Sequence, residues 1–374
     1  MKAMKQRTHR PIGLAIIGAG RVGLIRGRLA AKHPSVQWIG IAELDADKGK
    51  QVGEDIGADF VTTDYRELLR RPEVTAAIIA TDENEHVGPI LAAVERRVDL
   101  MIEKPLATDL GESERVLHAI QQSGVDAVVG YTQRFRRRFL VAKEKVRTGQ
   151  LGEVTLVTSR AFMNRLVAIA TYERTEHPEL LSPMVVSGTH SLDVGMWLME
   201  GKTAAEVYAR SVDKVLGPGL RGIDGTFGII TMTDGTIYSL GCTWALPKVW
   251  PGSVYSLEIG IVGTQGVLTI DDTHRDLVLA SEVPQPAGYT PEATRQVDFL
   301  TSYPPGDVAV GDFWGPMREE TNAWYTRIAL GQRTPHATAA EAHNRLMLTK
   351  AMDLSAARKC AIPLPITPKD LTGR

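Results

Sequence analysis

Short apolar runs recur through the first 130 residues, and helix-like segments separate most of them. The runs are LAIIG (14–18), VQWIGIA (36–42), AAIIA (76–80), VDLMI (98–102) and DAVVG (126–130). Helical patterning covers stretches that include 21–32, 86–96 and 111–122. Such alternation predicts a parallel sheet with helices on both faces, because each crossover between parallel strands passes over the sheet. At 374 residues, 43% of them hydrophobic, the chain is too long for one set of layers. Two domains are therefore expected.

The turn after the first run reads Gly18-Ala19-Gly20-Arg21-Val22-Gly23. Alone, GxGxxG is a common glycine pattern. Between a strand and a helix it has a mechanism. Gly18 allows the tight turn, Gly20 lets the backbone approach a pyrophosphate, and Gly23 lets helix and strand pack closely, with the anion at the helix N-terminus. The second run leads to Glu43, about 20 residues further on, where an acid accepts hydrogen bonds from an adenosine ribose. Asp45 is a second candidate for that role, and a solvated strand end is the plain alternative. Leu44 follows Glu43, not an arginine suited to a 2′-phosphate, so NAD is expected rather than NADP.

Ligands of such sheets bind outside the carboxyl ends of the strands. The stretch ATDENEHV lies at one such end and makes Thr81, Asp82, Asn84 and His86 candidate contacts near the nicotinamide half; His86 equally reads as the polar first turn of the next helix. The next run ends in Glu103-Lys104-Pro105. A buried parallel strand should not end in a carboxylate and an ammonium unless something there uses or neutralises them. Topology directs Lys104 toward the redox end of the cofactor, while a loop lysine paired with Glu103 is the competing reading. Removing a hydride from a carbinol carbon also requires the hydroxyl proton to leave, which a group with a pKa near working pH assists. Desolvation lowers the pKa of a partly buried lysine toward that range.

Lys and Arg number 43 against 44 Asp and Glu, a net charge of −1. That balance gives no reason to expect nucleic acid or an acidic membrane surface as a partner. Cys242 and Cys360 are far apart and lie in no CxxC, so they read as free thiols in a reducing compartment. The basic start MKAMKQRTHR precedes an apolar run, but Gly13, Gly18 and Gly20 interrupt that run and no small-residue cleavage site follows in the usual place. A cytoplasmic location is expected. No window approaches the roughly 18 apolar residues of a membrane span, and no histidine, cysteine or acidic cluster has metal-ligand spacing.

In order and spacing, GAGRVG, the acidic strand end, ATDENEH, EKPLA and GYTQRF resemble the Gfo/Idh/MocA oxidoreductases. GQLGEV (149–154), GTHSLDVGMWLMEG (188–201), IVGTQGVLTID (261–271) and the closing AMDLSAARKCAIPLP extend the resemblance over nearly the whole chain. It implies a Rossmann domain over 1–130, then an α/β domain over 131–374 built on a large, mostly antiparallel, open-faced sheet, with room for the C-terminal helix to pack back on the first domain. Independently, GTFGIITMTDGTIYSLGCTWAL is rich in β-formers around an Asp-Gly, which predicts a hairpin. A second subunit is one way to cover the open face, so a homodimer or homotetramer is expected.

The resemblance also implies reversible hydride transfer between a nicotinamide and a secondary alcohol or carbonyl. It places Lys104 beside the substrate hydroxyl, makes His190 the acid/base, and implies a cis Lys104–Pro105 bond. The chain departs from the family in two places. Val186 stands where many members carry an aspartate four residues before the histidine, and ELLSPMVV replaces a glycine-rich run. Ser187 or Thr189 could hydrogen-bond His190 instead, and Asp193 fits the family pattern as an orienting or structural group. In QRFRRRF, Arg134 matches the family and Arg136, Arg137 and Arg138 are additional. A solvated helix face accounts for most of these; an anionic substrate would give one of them, Arg165 included, a bidentate task. Tyr172 and His177 share the expected substrate loop.

The leading expectation is an NAD-dependent dehydrogenase of a sugar, sugar acid or cyclitol. One alternative is a dihydrodiol dehydrogenase acting on a ring-carboxylated cyclic diol, and another is a non-catalytic NAD or ligand sensor.

Overall fold

The computed structural model describes residues 10–372, apart from 174, 176, 218–221, 253, 272–276, 288, 289 and 301–303. Most of the basic start weighed as a leader, residues 1–9, lies outside the described residues. The chain forms two units, Met1–Phe135 with Val308–His343 and Arg136–Asp307 with Asn344–Arg374. This differs from a single boundary at residue 130, because 308–343 belongs to the first unit.

In chain order the elements are β1 (Ile12–Ile17), α1 (Arg21–Ala31), β2 (Val36–Ala42), α2 (Ala46–Ile56), β3 (Phe60–Thr62), α3 (Tyr65–Leu69), β4 (Ala76–Ile79), α4 (Val87–Glu95), β5 (Asp99–Glu103), α5 (Leu110–Ser123) and β6 (Ala127–Gly130). The second unit follows with α6 (Arg137–Arg147), β7 (Val154–Asn164), α7 (Arg165–Glu173), α8 (Thr189–Leu198), β8 (Ala204–Val212), β9 (Gly225–Met232) and β10 (Ile237–Leu246). Next come β11 (Val254–Gly263), β12 (Val267–Ile270) and a hairpin of β13 (Leu277–Ala287) with β14 (Thr290–Leu300). The chain closes with β15 (Asp307–Ala309), β16 (Asp312–Trp314), α9 (Pro316–Leu330), β17 (Ala337–Thr338), α10 (Ala339–Arg358), β18 (Ile362–Pro363) and α11 (Pro368–Leu371).

The first unit is built on a sheet in the order β17-β6-β5-β4-β1-β2-β3. Its strands run parallel except β17, which pairs antiparallel with β6. β1 and β4 are buried along their whole length, which is why they read as unbroken apolar runs and not as alternating ones. One sheet face packs Ala15, Ile17, Ile79, Leu100 and Ile102 with Ile90 of α4 and Val116 and Ile120 of α5. The other packs Leu14, Ile16, Ile41, Ile78 and Met101 with Val52 and Ile56 of α2 and with Trp324, Tyr325 and Ile328 of α9. Thus α9, distant in sequence, supplies part of the core, which is the physical reason that 308–343 belongs here. Local signals set the helix ends: Asp45 caps α2 by accepting from Lys48 N, and Gly57 closes it at φ 69°.

The second unit holds a sheet in the order β12-β11-β7-β10-β9-β8-β18. Only β10 with β7 is parallel among its pairs. The expected hairpin is present, with β9 and β10 joined through Asp234-Gly235 and Gly235 at φ 85°. Tyr208, Phe227, Ile229 and Ile237 are exposed, and successive residues of β9 alternate in burial, as a sheet with one uncovered face requires. α8 packs on the sheet, where the Tyr238 hydroxyl donates to the Ser191 carbonyl at 2.7 Å. A Cβ at Gly195 would lie 2.4 Å from the Tyr238 ring. Gly195→Ala is therefore expected to lower stability by about 1–3 kcal/mol through overpacking, read as a lower denaturant midpoint at unchanged m-value.

Candidate active site

The glycine turn has the geometry a dinucleotide phosphate needs. Gly18 sits at φ 92°, and a Cβ there would lie 2.5 Å from the Ala80 carbonyl oxygen. A Cβ on Gly23 would lie 2.0 Å from the Gly18 carbonyl oxygen, so α1 can approach β1 only with glycine there. At Gly20 a Cβ would meet nothing within 4 Å. That open space faces no neighbour of this chain, which fits a residue kept small for a ligand. Gly20 makes no side-chain cap to α1, and the first turn, opened by Arg21 and Val22, carries no acid. The helix N-terminus thus keeps its affinity for an anion. Glu43 reaches the same turn, its Oε2 accepting from Ala19 N at 2.8 Å and from Lys48 Nζ at 2.9 Å. These residues fit a dinucleotide cofactor. Asp45 is occupied as the α2 cap.

The end of β4 forms a braced turn. Asp82 accepts from Asn84 N at 3.2 Å, Thr81 Oγ1 donates to the Asp82 carbonyl at 3.3 Å, and Asn84 Oδ1 accepts from Thr108 Oγ1 at 2.8 Å. His86 follows the second of its two readings. It is buried at the start of α4, and its Nδ1 lies 2.8 Å from the Pro105 carbonyl. A carbonyl only accepts, so Nδ1 carries the proton. His86 therefore supports the lysine loop through Nδ1.

The Lys104–Pro105 bond is cis, in line with the resemblance. Glu103 bonds to Arg26 of α1, whose Nε donates to its Oε1 at 2.7 Å. Arg26 also donates from Nη1 to Thr321 Oγ1 at 2.6 Å and from Nη2 to Glu320 Oε2 at 2.8 Å. Arg26 and Glu320 are both wholly buried. The charge of Glu103 is thus answered from α1. Sequence reasoning missed Arg26 and Glu320. The available signal was an arginine three positions after Gly23, on the side of α1 that must meet the sheet.

In the second unit His190 is the second residue of α8, half-buried. A single π-helical turn, Met184–Gly188, precedes it. A π-turn brings the residue five before, not four before, under a given position. Here those residues are Val185 and Val186, both buried, so neither register supplies a carboxylate. Ser187 Oγ accepts from Trp244 Nε1 at 2.8 Å. Thr189 is buried. Asp193 is buried with Arg345, Nε to Oδ1 at 3.3 Å, as a structural pair. Tyr172 stands edge-on to Trp244 at 5.7 Å, and burial, then the Asp353 carboxylate, raises its hydroxyl pKa. Asp353, also missed, accepts from Ser182 Oγ at 2.7 Å. His177 is exposed and 3.2 Å from Glu179.

Three of the arginines considered for an anion have partners inside the fold. Arg134, buried in the first unit, pairs with Glu341 at 2.8 Å. Arg165 donates to the carbonyls of Leu246 and Ala245 at 3.1 and 3.2 Å. Arg136 donates to the Pro304 carbonyl at 3.1 Å, while Arg137 and Arg138 are exposed on α6. Among the described residues, no group of three or more His, Cys, Asp or Glu could hold a metal ion, and no helix is long and apolar enough to cross a membrane.

The family model described as an oxidoreductase family with NAD-binding Rossmann fold (GFO_IDH_MocA) matches residues 12–131, and that of the GFO/IDH/MocA C-terminal domain matches 139–269. An uncharacterized oxidoreductase of Bacillus subtilis is 29% identical over 52% of this chain, and the match spans only 55% of that protein. Inositol 2-dehydrogenase 2 of Paenarthrobacter aurescens is 25% identical over 91% of this chain and 95% of its own length. In fold the chain is similar to scyllo-inositol dehydrogenase from Lactobacillus casei, crystallised with NAD(H) and scyllo-inositol. The TM-score is 0.73 at 18% identity, covering 95% of this chain and 99% of that one.

The open space at Gly20 separates folding from binding. Gly20→Ala is expected to leave the melting temperature unchanged and to weaken NAD binding about tenfold or more, since a methyl group occupies the approach to the pyrophosphate. Titration of the variant by nicotinamide or protein fluorescence checks this; unchanged affinity would remove the turn from the cofactor site.

Proposed function

The chain belongs to the Gfo/Idh/MocA oxidoreductase family, and we propose that it is an NAD-dependent dehydrogenase of a cyclitol, sugar or sugar acid, working at a secondary alcohol or its carbonyl. One observation carries the reading: Lys104 stands at the carboxyl end of β5 with its neighbour Glu103 bonded to Arg26. Relatives that are inositol 2-dehydrogenases support a cyclitol first. Pairing of Arg134 with Glu341 and of Arg165 with backbone carbonyls gives those two arginines partners inside the fold, while the additional Arg136–Arg138 and Val186 keep a ring-carboxylated diol as the second reading.

When bound, the nicotinamide ring supplies the hydride acceptor or donor. Lys104 hydrogen-bonds the substrate oxygen and stabilises the negative charge that grows as its proton leaves. His190 takes up and returns that proton. Val185 and Val186 deny the imidazole a carboxylate from its own preceding turn, which leaves Lys104 a larger share of proton handling than in relatives with the aspartate. Glu43 selects NAD over NADP, because its carboxylate would repel a 2′-phosphate. The contribution of Thr81, Asp82 and Asn84 is to shape the nicotinamide end through the braced turn.

The exposed Tyr208, Phe227, Ile229 and Ile237 on one sheet face support a homodimer or homotetramer. Sedimentation is expected to show an oligomer, and a monomer at micromolar concentration would oppose it. A cytoplasmic location is in keeping with the free thiols of Cys242 and Cys360; export of a reporter fused after this N-terminus would contradict it. Following NADH absorbance across inositols, other polyols, sugar acids and carboxylated dihydrodiols tests the activity. Turnover is expected with a cyclitol or sugar, and Lys104→Ala is expected to lower kcat about 100-fold or more. Intact NAD binding without turnover on any of these would favour a sensor.

A further inference from the structure

The charge cluster behind Glu103 does more than answer one carboxylate. Arg26 projects from α1, the helix whose N-terminus is assigned to the cofactor phosphate, three residues beyond Gly23. Its guanidinium holds Glu103, Glu320 and Thr321. Glu320 Oε2 also accepts from Thr132 Oγ1 at 2.9 Å, which brings in the turn that follows β6. At the end of β6, a Cβ on Gly130 would lie 3.2 Å from both Arg26 Nη2 and Glu103 Oε2. The phosphate helix, the lysine strand and the turn after β6 therefore meet on Arg26 and on one turn of α9.

We propose that Arg26 and Glu320 are positioning residues for Lys104, fixing the Glu103 carboxylate and the backbone that carries the lysine relative to the cofactor helix. Three physical points support this. Glu103 directly precedes Lys104 in the chain, and Arg26 fixes its carboxylate through Nε and Nη2. The planar fork of guanidinium meets three acceptors in fixed directions, which a lysine ammonium on a flexible stem cannot reproduce. Burying the two ionisable side chains of Arg26 and Glu320 is costly where apolar packing would serve stability as well or better, whereas catalysis is sensitive to displacements of about 1 Å, worth roughly 100-fold in rate.

The inference rests on Lys104 acting on the substrate, and the test separates the two. In the full-length protein, Arg26→Lys is expected to lower kcat about 10–100-fold while NAD affinity stays within about threefold. Thr321→Val, which removes one of the hydrogen bonds of Arg26 and leaves both carboxylates in place, is expected to lower kcat about 3–10-fold with substrate KM little changed; it carries the test if Arg26→Lys fails to fold. In a Lys104→Ala background, Arg26→Lys is expected to add no further loss, since positioning acts only through the lysine. Full kcat in a folded Arg26→Lys or in Thr321→Val would overturn the proposal. So would an equal fractional loss with and without Lys104. Normal turnover by Lys104→Ala alone would instead sink the functional reading on which the proposal rests.

Discussion

One guanidinium organises the first unit. Arg26 is surrounded by Glu103, Glu320 and Thr321, and both Arg26 and Glu320 are removed from water. Desolvation of that order costs several kcal/mol per ion and is offset only when geometry and hydrogen bonding are good. Here the shape of the group decides the outcome, because its donors leave in the directions of α1's three partners. Burial pushes the Glu320 carboxyl above the usual carboxylate range, while Arg26 opposes that shift. Arg26 itself, held between two carboxylates, stays cationic. Moving α1, β5 or α9 alone would strand a buried charge, so the phosphate turn and the lysine loop share one frame.

Much of that frame was legible residue by residue. β1, β4 and β5 are continuous aliphatic runs because both faces of the sheet are covered, and Gly18 and Gly23 sit where close backbone contacts admit nothing larger. The Asp-Gly of the β9–β10 hairpin was an equally local signal, whereas the cis bond before Pro105 came with the family resemblance. Long-range partners left no such trace. Nothing near Arg26 announces Glu320, which lies 294 residues away in sequence, and Trp324 and Tyr325 read as ordinary helix residues until α9 is seen on the sheet. The three-residue β3 and the returning β17 were too short to carry a period.

Arginines misled for a related reason. A charged side chain advertises its chemistry but not its partner, and Arg134 and Arg165 have theirs inside the fold. The same holds for His86, whose polarity pointed to a ligand while its ring supports the Pro105 carbonyl. Val186 shows the converse. Its significance came from what is missing, and the π-turn extends that absence to Val185. The second unit thus places two buried valines, Val185 and Val186, in the turn before its histidine.

The return of 308–343 to the first unit also governs the order of events at the ribosome. Domains generally fold as units, N-terminal first, during synthesis at about 5–20 residues per second. This N-terminal unit cannot follow that schedule to completion. Its sheet lacks β17, its core lacks Trp324 and Tyr325, and Arg26 has only one of its two carboxylate partners until the body of the second unit has been translated. In the interval the nascent dinucleotide-binding half presents an uncovered sheet face and a guanidinium still lacking the Glu320 and Thr321 acceptors of its fork.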